Sequence, residues 1–217
     1  MRKQVVFPLL LILALASYSY AQDKNVKGFE ESWVNSRADF KKYEVIYINN
    51  VDIKDIKVTT SGVLDEKAEE KEVNGLAKEM RERFSKILSG VLPTETDESK
   101  IKGKKALIVN LKLKEAAGTD TTSNLATNIV LGMGLTNAIL AMECDIIDAQ
   151  TGEKIIILSD RHESTGWEEN SSLLGTDDLD KWQHAHNIIE IWADKLAEFM
   201  AVERGEEYKS QLKAKLF

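Results

Sequence analysis

The chain has 217 residues, 30% of them charged, and a formal net charge of −7. Because proteins contact phosphate mainly through electrostatic attraction, an acidic chain without a basic cluster is not expected to bind nucleic acid. Its single cysteine, Cys144, excludes an internal disulfide, so the fold must be stabilised by a hydrophobic core.

Residues 1–21 have the pattern of an export signal. Two basic residues precede the apolar run 5–16, and small residues at positions 19 and 21 come before Gln22. We therefore predict cleavage after Ala21 and a periplasmic or secreted protein with no transmembrane span in the mature chain. An uncleaved N-terminal anchor is the alternative. A lipid anchor is not expected, because a lipoprotein signal needs cysteine where this chain has Gln22.

The first half of the mature chain predicts one strand and one long helix. Residues 22–41 have little apolar content apart from aromatic side chains such as Trp33, which predicts an irregular lead. Residues 42–50 are rich in β-branched and aromatic residues and predict a strand. Apolar residues at helical spacing then predict an amphipathic helix over residues 65–90.

The second half predicts three more strands and a second helix. Residues 104–115 alternate between apolar and polar side chains, as in a strand with one buried face. Two apolar runs around "DAQTGE" predict a β-hairpin whose first strand buries Cys144. A long helix is predicted to begin near residue 177, and the tail 202–217 shows a weaker helical pattern.

The order of these elements predicts the fold class. A helix between the first two strands favours a crossover and a parallel pair, whereas the hairpin adds antiparallel strands. We predict an α/β fold: a two-layer sandwich with a mixed four-stranded sheet and two long helices on one face. Residues 42–201 would form this single domain.

Residues 125–142 contain no charged side chain. The end of this stretch belongs to the predicted hairpin strand, and the rest is too short to cross a membrane. Residues 125–136 are therefore predicted to be an apolar connection, with an exposed patch for a partner or a membrane surface as the alternative. The candidate interaction residues are Leu125, Ile129, Val130, Leu131, Met133 and Leu135.

A polar group follows the second hairpin strand, where Asp160, Arg161 and His162 precede Trp167. Solvated, paired charges are the ordinary interpretation, and a small polar site is the alternative. The sequence contains no Gly-rich phosphate loop and no Gly-x-Ser-x-Gly elbow. Neither a nucleophile with a base nor a metal-binding pair of histidines is apparent, so no catalytic residue, metal or cofactor is predicted.

Three tryptophans have different expected environments. Trp33 and Trp167 lie in segments predicted to be irregular, where they either fill the core or face a ligand. Trp192 lies near the edge of the apolar face of the last helix, which predicts that it is half-exposed.

The layout resembles a bacterial envelope family called domain of unknown function 3313. The resemblance covers roughly residues 28–200: "FEESWVNSRADFKKYEVIYINNVDI", the hairpin "AMECDIIDAQTGEKIIILSDR" and a closing "WADKL" helix. Its main matches are the first-strand region at residues 43–46 and an Asp-x-x-Thr-Gly-like turn at residues 148–152. Many members look like lipoproteins, and this chain departs from them in lacking the cysteine of that signal. The resemblance implies no catalytic residues.

These observations predict an exported, non-catalytic binding module. Its partner would be an envelope protein or a component of the membrane surface. The alternative is a small-ligand-binding or hydrolytic periplasmic protein that uses residues 159–167.

Overall fold

The computed structural model describes residues 25–60, 66–118, 137–165 and 183–212. These ranges form seven strands, two long helices and two short 3-10 helices, at Phe40–Lys42 and Glu98–Ile101. The strands are β1 (Glu31–Val34), β2 (Val45–Ile48), β3 (Lys57–Thr60), β4 (Thr94–Glu95), β5 (Ala106–Gly118), β6 (Asn137–Asp148) and β7 (Lys154–Thr165). The helices are α1 (Glu66–Leu88) and α2 (Gln183–Arg204).

The strands make one mixed sheet in the order β1-β7-β6-β5-β2-β4, and β3 pairs with the far end of β5. The strands β5, β6 and β7 are antiparallel neighbours, whereas β2 runs parallel to both β4 and β5. The α/β class, the mixed sheet and the hairpin β6–β7 predicted from the sequence are therefore confirmed.

The predicted four-stranded sheet is too small. β1, β3 and β4 have only four, four and two residues, too few to produce a clear alternation of apolar and polar side chains. β1 lies inside the lead 22–41, which was predicted to be irregular, and it adds an antiparallel strand to the free side of β7.

The hairpin turn is held by one buried carboxylate. Asp148 accepts hydrogen bonds from the backbone N–H of Gln150 and Thr151, at 2.9 and 3.1 Å. Its other oxygen accepts from Lys42 Nζ at 2.8 Å and from the Tyr43 hydroxyl at 3.0 Å. The turn is thereby fixed against the 3-10 helix that precedes β2. Gly152 adopts a φ of 72°, a left-handed conformation that suits glycine.

Both helices cover one face of the sheet and form the core with it. Alternate residues of β5 and β6 point to the helices and are buried, as the sequence pattern predicted: Leu107, Val109, Leu111, Leu113, Leu140, Met142, Cys144 and Ile146. On the helices, Met80, Phe84, Ile189 and Leu196 are fully buried against them.

Trp192 in α2 is only 1% exposed, so its predicted half-exposed position is wrong. Its indole N–H donates a hydrogen bond to Asp160 on β7. This contact allows the polar edge of the ring to be buried without losing a partner.

The C-terminal tail differs from the prediction as well. α2 ends at Arg204, Gly205 takes a φ of 75°, and the described residues 205–212 are not helical. Asp194 on α2 accepts hydrogen bonds from the Tyr208 hydroxyl at 2.6 Å and the Ser210 hydroxyl at 2.7 Å. These polar contacts hold the tail in an irregular conformation despite its helical spacing of apolar residues.

Candidate functional site

The face of the sheet opposite the helices carries the candidate site. Its first cross-strand row contains, in register, Asn110 of β5, Asp145 of β6, Ile157 of β7 and Trp33 of β1. The second row contains Lys112, Glu143, Ser159 and Glu31 in the same strand order. Because side chains alternate along a strand, these residues are the immediate neighbours of the buried core residues.

One end of this face is covered. Val45, Tyr47 and Ala106 pack there with Ile101 of the second 3-10 helix to form a small buried cluster. The two rows described above lie beyond that cover, and they line an open groove with a volume of about 690 Å³.

The charges of the open face are paired with residues of neighbouring segments. Lys154 Nζ lies 2.9 Å from Asp145 Oδ2, and Lys112 Nζ lies 2.9 Å from Asp55 Oδ2. The Lys112 ammonium holds the pKa of Asp55 below its usual range. These are exposed or half-exposed pairs, so each contributes little to stability, but together they set the side-chain positions on this face.

A third group lies beyond the second row. Glu115 accepts from Arg161 Nε at 3.1 Å and from Lys57 Nζ at 3.2 Å. The hydrogen bond from Arg161 is the main cause of a lowered pKa for Glu115; burial opposes it and Lys57 adds to it. The carboxylate is therefore ionised and engaged on both sides.

Two apolar side chains interrupt this polar face. Trp33 is 47% exposed, and its cross-strand partner Ile157 is 36% exposed. The only other large hydrophobic side chain of comparable exposure within the described ranges is Val202, on α2. Exposed tryptophan next to an aliphatic side chain is typical of binding hot spots, since burying it against a partner removes much apolar area from water.

The residues of the predicted polar site do not share one cleft. Asp160 faces the helices, where it accepts from Trp192 Nε1 and from the backbone N–H of Glu30. Arg161 points to the opposite face and pairs with Glu115. His162 pairs with Leu140 of β6 and lies on the helix side, half-buried. Trp167 lies outside the described residues.

The apolar candidates Leu125, Ile129, Val130, Leu131, Met133 and Leu135 also lie outside the described residues. Their role as an interaction surface stays a prediction. Neither helix in the described part of the chain is long and apolar enough to cross a membrane.

The side chains of Cys144 and His186 have structural roles in the core and between the helices. Cys144 is fully buried, and burial raises the pKa of its thiol well above the usual range. It is therefore protonated and a poor nucleophile. The buried His186 of α2 lies with its Nε2 2.6 Å from Glu79 Oε2 of α1, where it links the two helices. Within the described ranges, no three His, Cys, Asp or Glu side chains form a group that could hold a metal ion.

The sequence contained one signal for the open face that the prediction of an irregular lead did not use. In "ESWV", the aromatic Trp33 and the β-branched Val34 are both residues that favour strands, and Trp33 is expected either to fill the core or to face a ligand. Pairing of β1 with β7 decides between these alternatives, because it turns Val34 inward and Trp33 outward.

Comparison with known proteins identifies a family but no activity. Residues 13–196 match a family model described as "Protein of unknown function (DUF3313)". No curated protein matches the chain in sequence.

Several solved structures share a general likeness with the fold. The PelC dodecamer from Paraburkholderia phytofirmans is 8% identical, with 63% of this chain and 84% of that chain covered and a TM-score of 0.39. A hypothetical protein from Chlamydia trachomatis is 7% identical, with 74% and 99% covered and a TM-score of 0.39. A putative neuraminyllactose-binding hemagglutinin homolog from Helicobacter pylori is 12% identical, with 86% and 90% covered and a TM-score of 0.28. Similarity at this level carries no information on function.

Proposed function

The chain belongs to the DUF3313 family of proteins of unknown function, and on that premise we propose that it is an exported envelope protein that binds another envelope component without catalysis. Export is supported by the sequence pattern of residues 1–21 and the predicted cleavage after Ala21. The binding role is supported by the open face of the sheet.

The observation that carries this proposal is the Trp33–Ile157 pair. A tryptophan that stays exposed to water forgoes favourable burial, so its position at the wall of a groove of about 690 Å³ needs a reason. A partner that covers the pair removes that apolar area from water, and the surrounding ion pairs form a polar rim of the kind that encloses binding hot spots.

The engagement of the reactive side chains supports binding over catalysis. Cys144 is buried and protonated, and Asp160 is held by an indole N–H and a backbone N–H. Neither group is free to attack a substrate or to exchange a proton with one in a cleft.

A photo-crosslinking experiment in the exporting cell tests the binding role. The crosslinking amino acid replaces Glu143, whose exposed side chain lines the groove. We expect a discrete crosslinked product that is lost when Trp33→Ala is added. Val202→Ala is the matched control, because it also removes an exposed apolar side chain but lies on α2. Identical products in Trp33→Ala and in the unaltered protein would exclude the Trp33–Ile157 pair as the binding hot spot, and the absence of any product would exclude the open face as the binding site.

Export is tested separately by cell fractionation and N-terminal sequencing. We expect the protein outside the cytoplasm with Gln22 as its first residue. A cytoplasmic protein that keeps residues 1–21 would contradict the envelope part of the proposal while leaving the binding part open to the crosslinking test.

The uncharged segment 125–136 is a second candidate surface, supported by its composition. Deleting this segment in the same crosslinking strain compares the two surfaces directly. If the deletion removes the product and Trp33→Ala does not, the segment, and not the Trp33–Ile157 pair, carries the binding.

A further inference from the structure

β1 is the end strand of the sheet. It pairs with β7 on one side, and no strand within the described residues pairs with its other side. Edge strands usually carry lysine, proline or a bulge that prevents pairing with another chain. β1 has the sequence Glu-Ser-Trp-Val and a regular register with β7, so it lacks lysine, proline and a bulge, and only its short length and the charge of Glu31 limit pairing with another chain.

The hydrogen bonds between β1 and β7 determine which backbone groups of β1 face outward. The backbone N–H of Asn35 donates to Ile155 O at 2.9 Å, so Asn35 points its backbone groups toward β7. In an antiparallel ladder the direction alternates from residue to residue. Trp33 and Glu31 therefore bond toward β7, and the N–H and C=O groups of Ser32 and Val34 point to the outer edge.

The same alternation determines how Trp33 would face an added strand. On the outer side, Trp33 would occupy a non-hydrogen-bonded position, in which the side chains of facing residues come closest together. A residue added opposite Trp33 would therefore contact the indole ring on the open face. A cationic side chain there would also gain from the negative face of the ring.

Two carboxylates lie along the open side of β1. The Glu31 carboxylate accepts from the Ser159 hydroxyl at 3.1 Å and has no cationic partner in the described part of the chain. Glu153 accepts from Asn35 Nδ2 at 2.6 Å, one further step along the same side of β1. Two ammonium groups near β1 are engaged, because Lys154 pairs with Asp145 and Lys195 donates to the carbonyl of Gly28.

A second copy of the chain fits this edge poorly. Antiparallel pairing of two β1 strands about Trp33 would set Glu31 of one copy opposite Asn35 of the other, beside the Glu153 that Asn35 contacts. Two carboxylates of like charge would then meet across the interface, which disfavours self-association. A basic partner would instead be attracted to the carboxylates of Glu31 and Glu153.

We propose that the outer edge of β1 binds an extended, basic segment of a partner polypeptide as an added strand, with backbone bonds to Ser32 and Val34, contact with Trp33 and ion pairing to Glu31. This inference rests on the proposed binding function and names the chemistry of its partner. It uses a known mode of peptide recognition, in which the backbone supplies affinity and alternate side chains supply specificity.

Labelled peptides of about ten residues test this, since that length spans β1 and its flanks. One alternates lysine and valine, and its counterpart alternates glutamate and valine. We expect the purified protein to bind the basic peptide at least about tenfold more tightly at low salt, and we expect added salt to weaken this preference. Fluorescence anisotropy gives both affinities.

Two variants assign the charge preference to the edge. Glu31→Lys should weaken binding of the basic peptide by about tenfold and improve binding of the acidic one. Glu98→Lys makes the same change of charge in the second 3-10 helix, beside β2 and β4 at the other end of the sheet, and should leave both affinities unchanged. Equal effects of the two variants would show that only the net charge of the protein matters and would overturn the inference.

An N-methylated basic peptide tests strand addition without altering the protein. Methyl groups on alternate amides keep every side chain and charge but remove the N–H donors along one edge. We expect at least about a tenfold loss of affinity, because those donors would bond to β1. Equal binding of methylated and unmethylated peptides would overturn strand addition.

Failure of this inference is distinguishable from failure of the proposed function. If the crosslinked product in cells depends on Trp33 but the peptides show no preference for charge, the open face binds a partner of other chemistry. If sedimentation instead shows a dimer that Trp33→Ala dissociates, a second copy is the occupant and the basic segment is excluded.

Discussion

The two faces of the strands β5, β6 and β7 differ completely although they share one backbone. On the helix side, Leu111, Cys144 and Leu158 lie in register and are at most 1% exposed. One residue along each strand, the open side carries Asn110, Asp145 and Ile157 in register. The comparison teaches that stability depends on one face, which leaves the other face free for the binding role that we propose.

The same contrast applies to charge. Asp148 points to the helix side, its side chain is 5% exposed, and it lies 2.8 Å from Lys42 Nζ. Asp145 points to the open side, its side chain is 39% exposed, and it lies 2.9 Å from Lys154 Nζ. Two ion pairs of nearly equal length therefore differ in how far water screens them. Asp148 also accepts hydrogen bonds from Tyr43 and the turn, so the two pairs should differ in energetic weight.

The largest expected difference is between adjacent aliphatic side chains of β7. Leu158→Ala should lower the free energy of unfolding by about 3 kcal/mol, because it leaves a cavity between the sheet and the helices. Ile157→Ala should lower it by less than about 1 kcal/mol, because Ile157 is already partly in water. Urea denaturation followed by circular dichroism measures both. Similar losses in the two variants would mean that the open face is as well packed as the core.

The next largest difference is between the two aspartates. Asp148→Asn should destabilise the protein by about 2 kcal/mol, because it removes the buried carboxylate that accepts hydrogen bonds from Lys42 and from the N–H groups of the turn. Asp145→Asn should change stability by no more than about 0.5 kcal/mol, as is usual for exposed pairs. The same urea titration tests this, and an effect of Asp145→Asn as large as that of Asp148→Asn would refute the role assigned to burial.

Asp148 also predicts a pH dependence. Burial alone would raise the pKa of this carboxyl, but the hydrogen bonds from Lys42, Gln150, Thr151 and Tyr43 together hold its pKa far below the usual range. In the unfolded chain, Asp148 takes up a proton at about pH 4. The contribution of its carboxylate to the free energy of unfolding is therefore complete above that pH and is lost as the pH falls toward the pKa of Asp148 in the folded protein. The stability difference between the unaltered protein and Asp148→Asn should therefore be constant from pH 5 to 7 and should narrow below about pH 4. A difference that persists unchanged to low pH would contradict this.

The core face was accessible from sequence because its signal is long and periodic. Leu107 to Leu113 alternate over a whole strand, and the helix that contains Met80 and Phe84 repeats its apolar residues over several turns. The open face was not accessible in the same way. Its pairs, such as Glu115 with Arg161, join residues far apart in sequence, and their register depends on tertiary pairing.

The short strands were missed for a related reason. Four residues of β1 carry too little pattern to separate a strand from an irregular lead, and only the free side of β7 gives that segment a place to pair. The exposed position of Trp33 follows from that pairing. Trp192 shows the opposite error. The helical pattern places it near the edge of the apolar face of α2, but a hydrogen bond to Asp160 on β7 allows its side chain to be completely buried.

The smallest expected effect on stability belongs to the residue with the largest expected effect on binding. Trp33→Ala removes a side chain that is 47% exposed on an edge strand, so it should lower the free energy of unfolding by less than about 1 kcal/mol. It should nevertheless abolish the crosslinked product at position 143, because the apolar contact that a partner makes with the open face is centred on the indole. Urea denaturation and crosslinking of the same preparation separate the two effects. If Trp33→Ala destabilises the protein as much as Leu158→Ala does, Trp33 holds β1 to the sheet, and its exposure needs no partner to explain it.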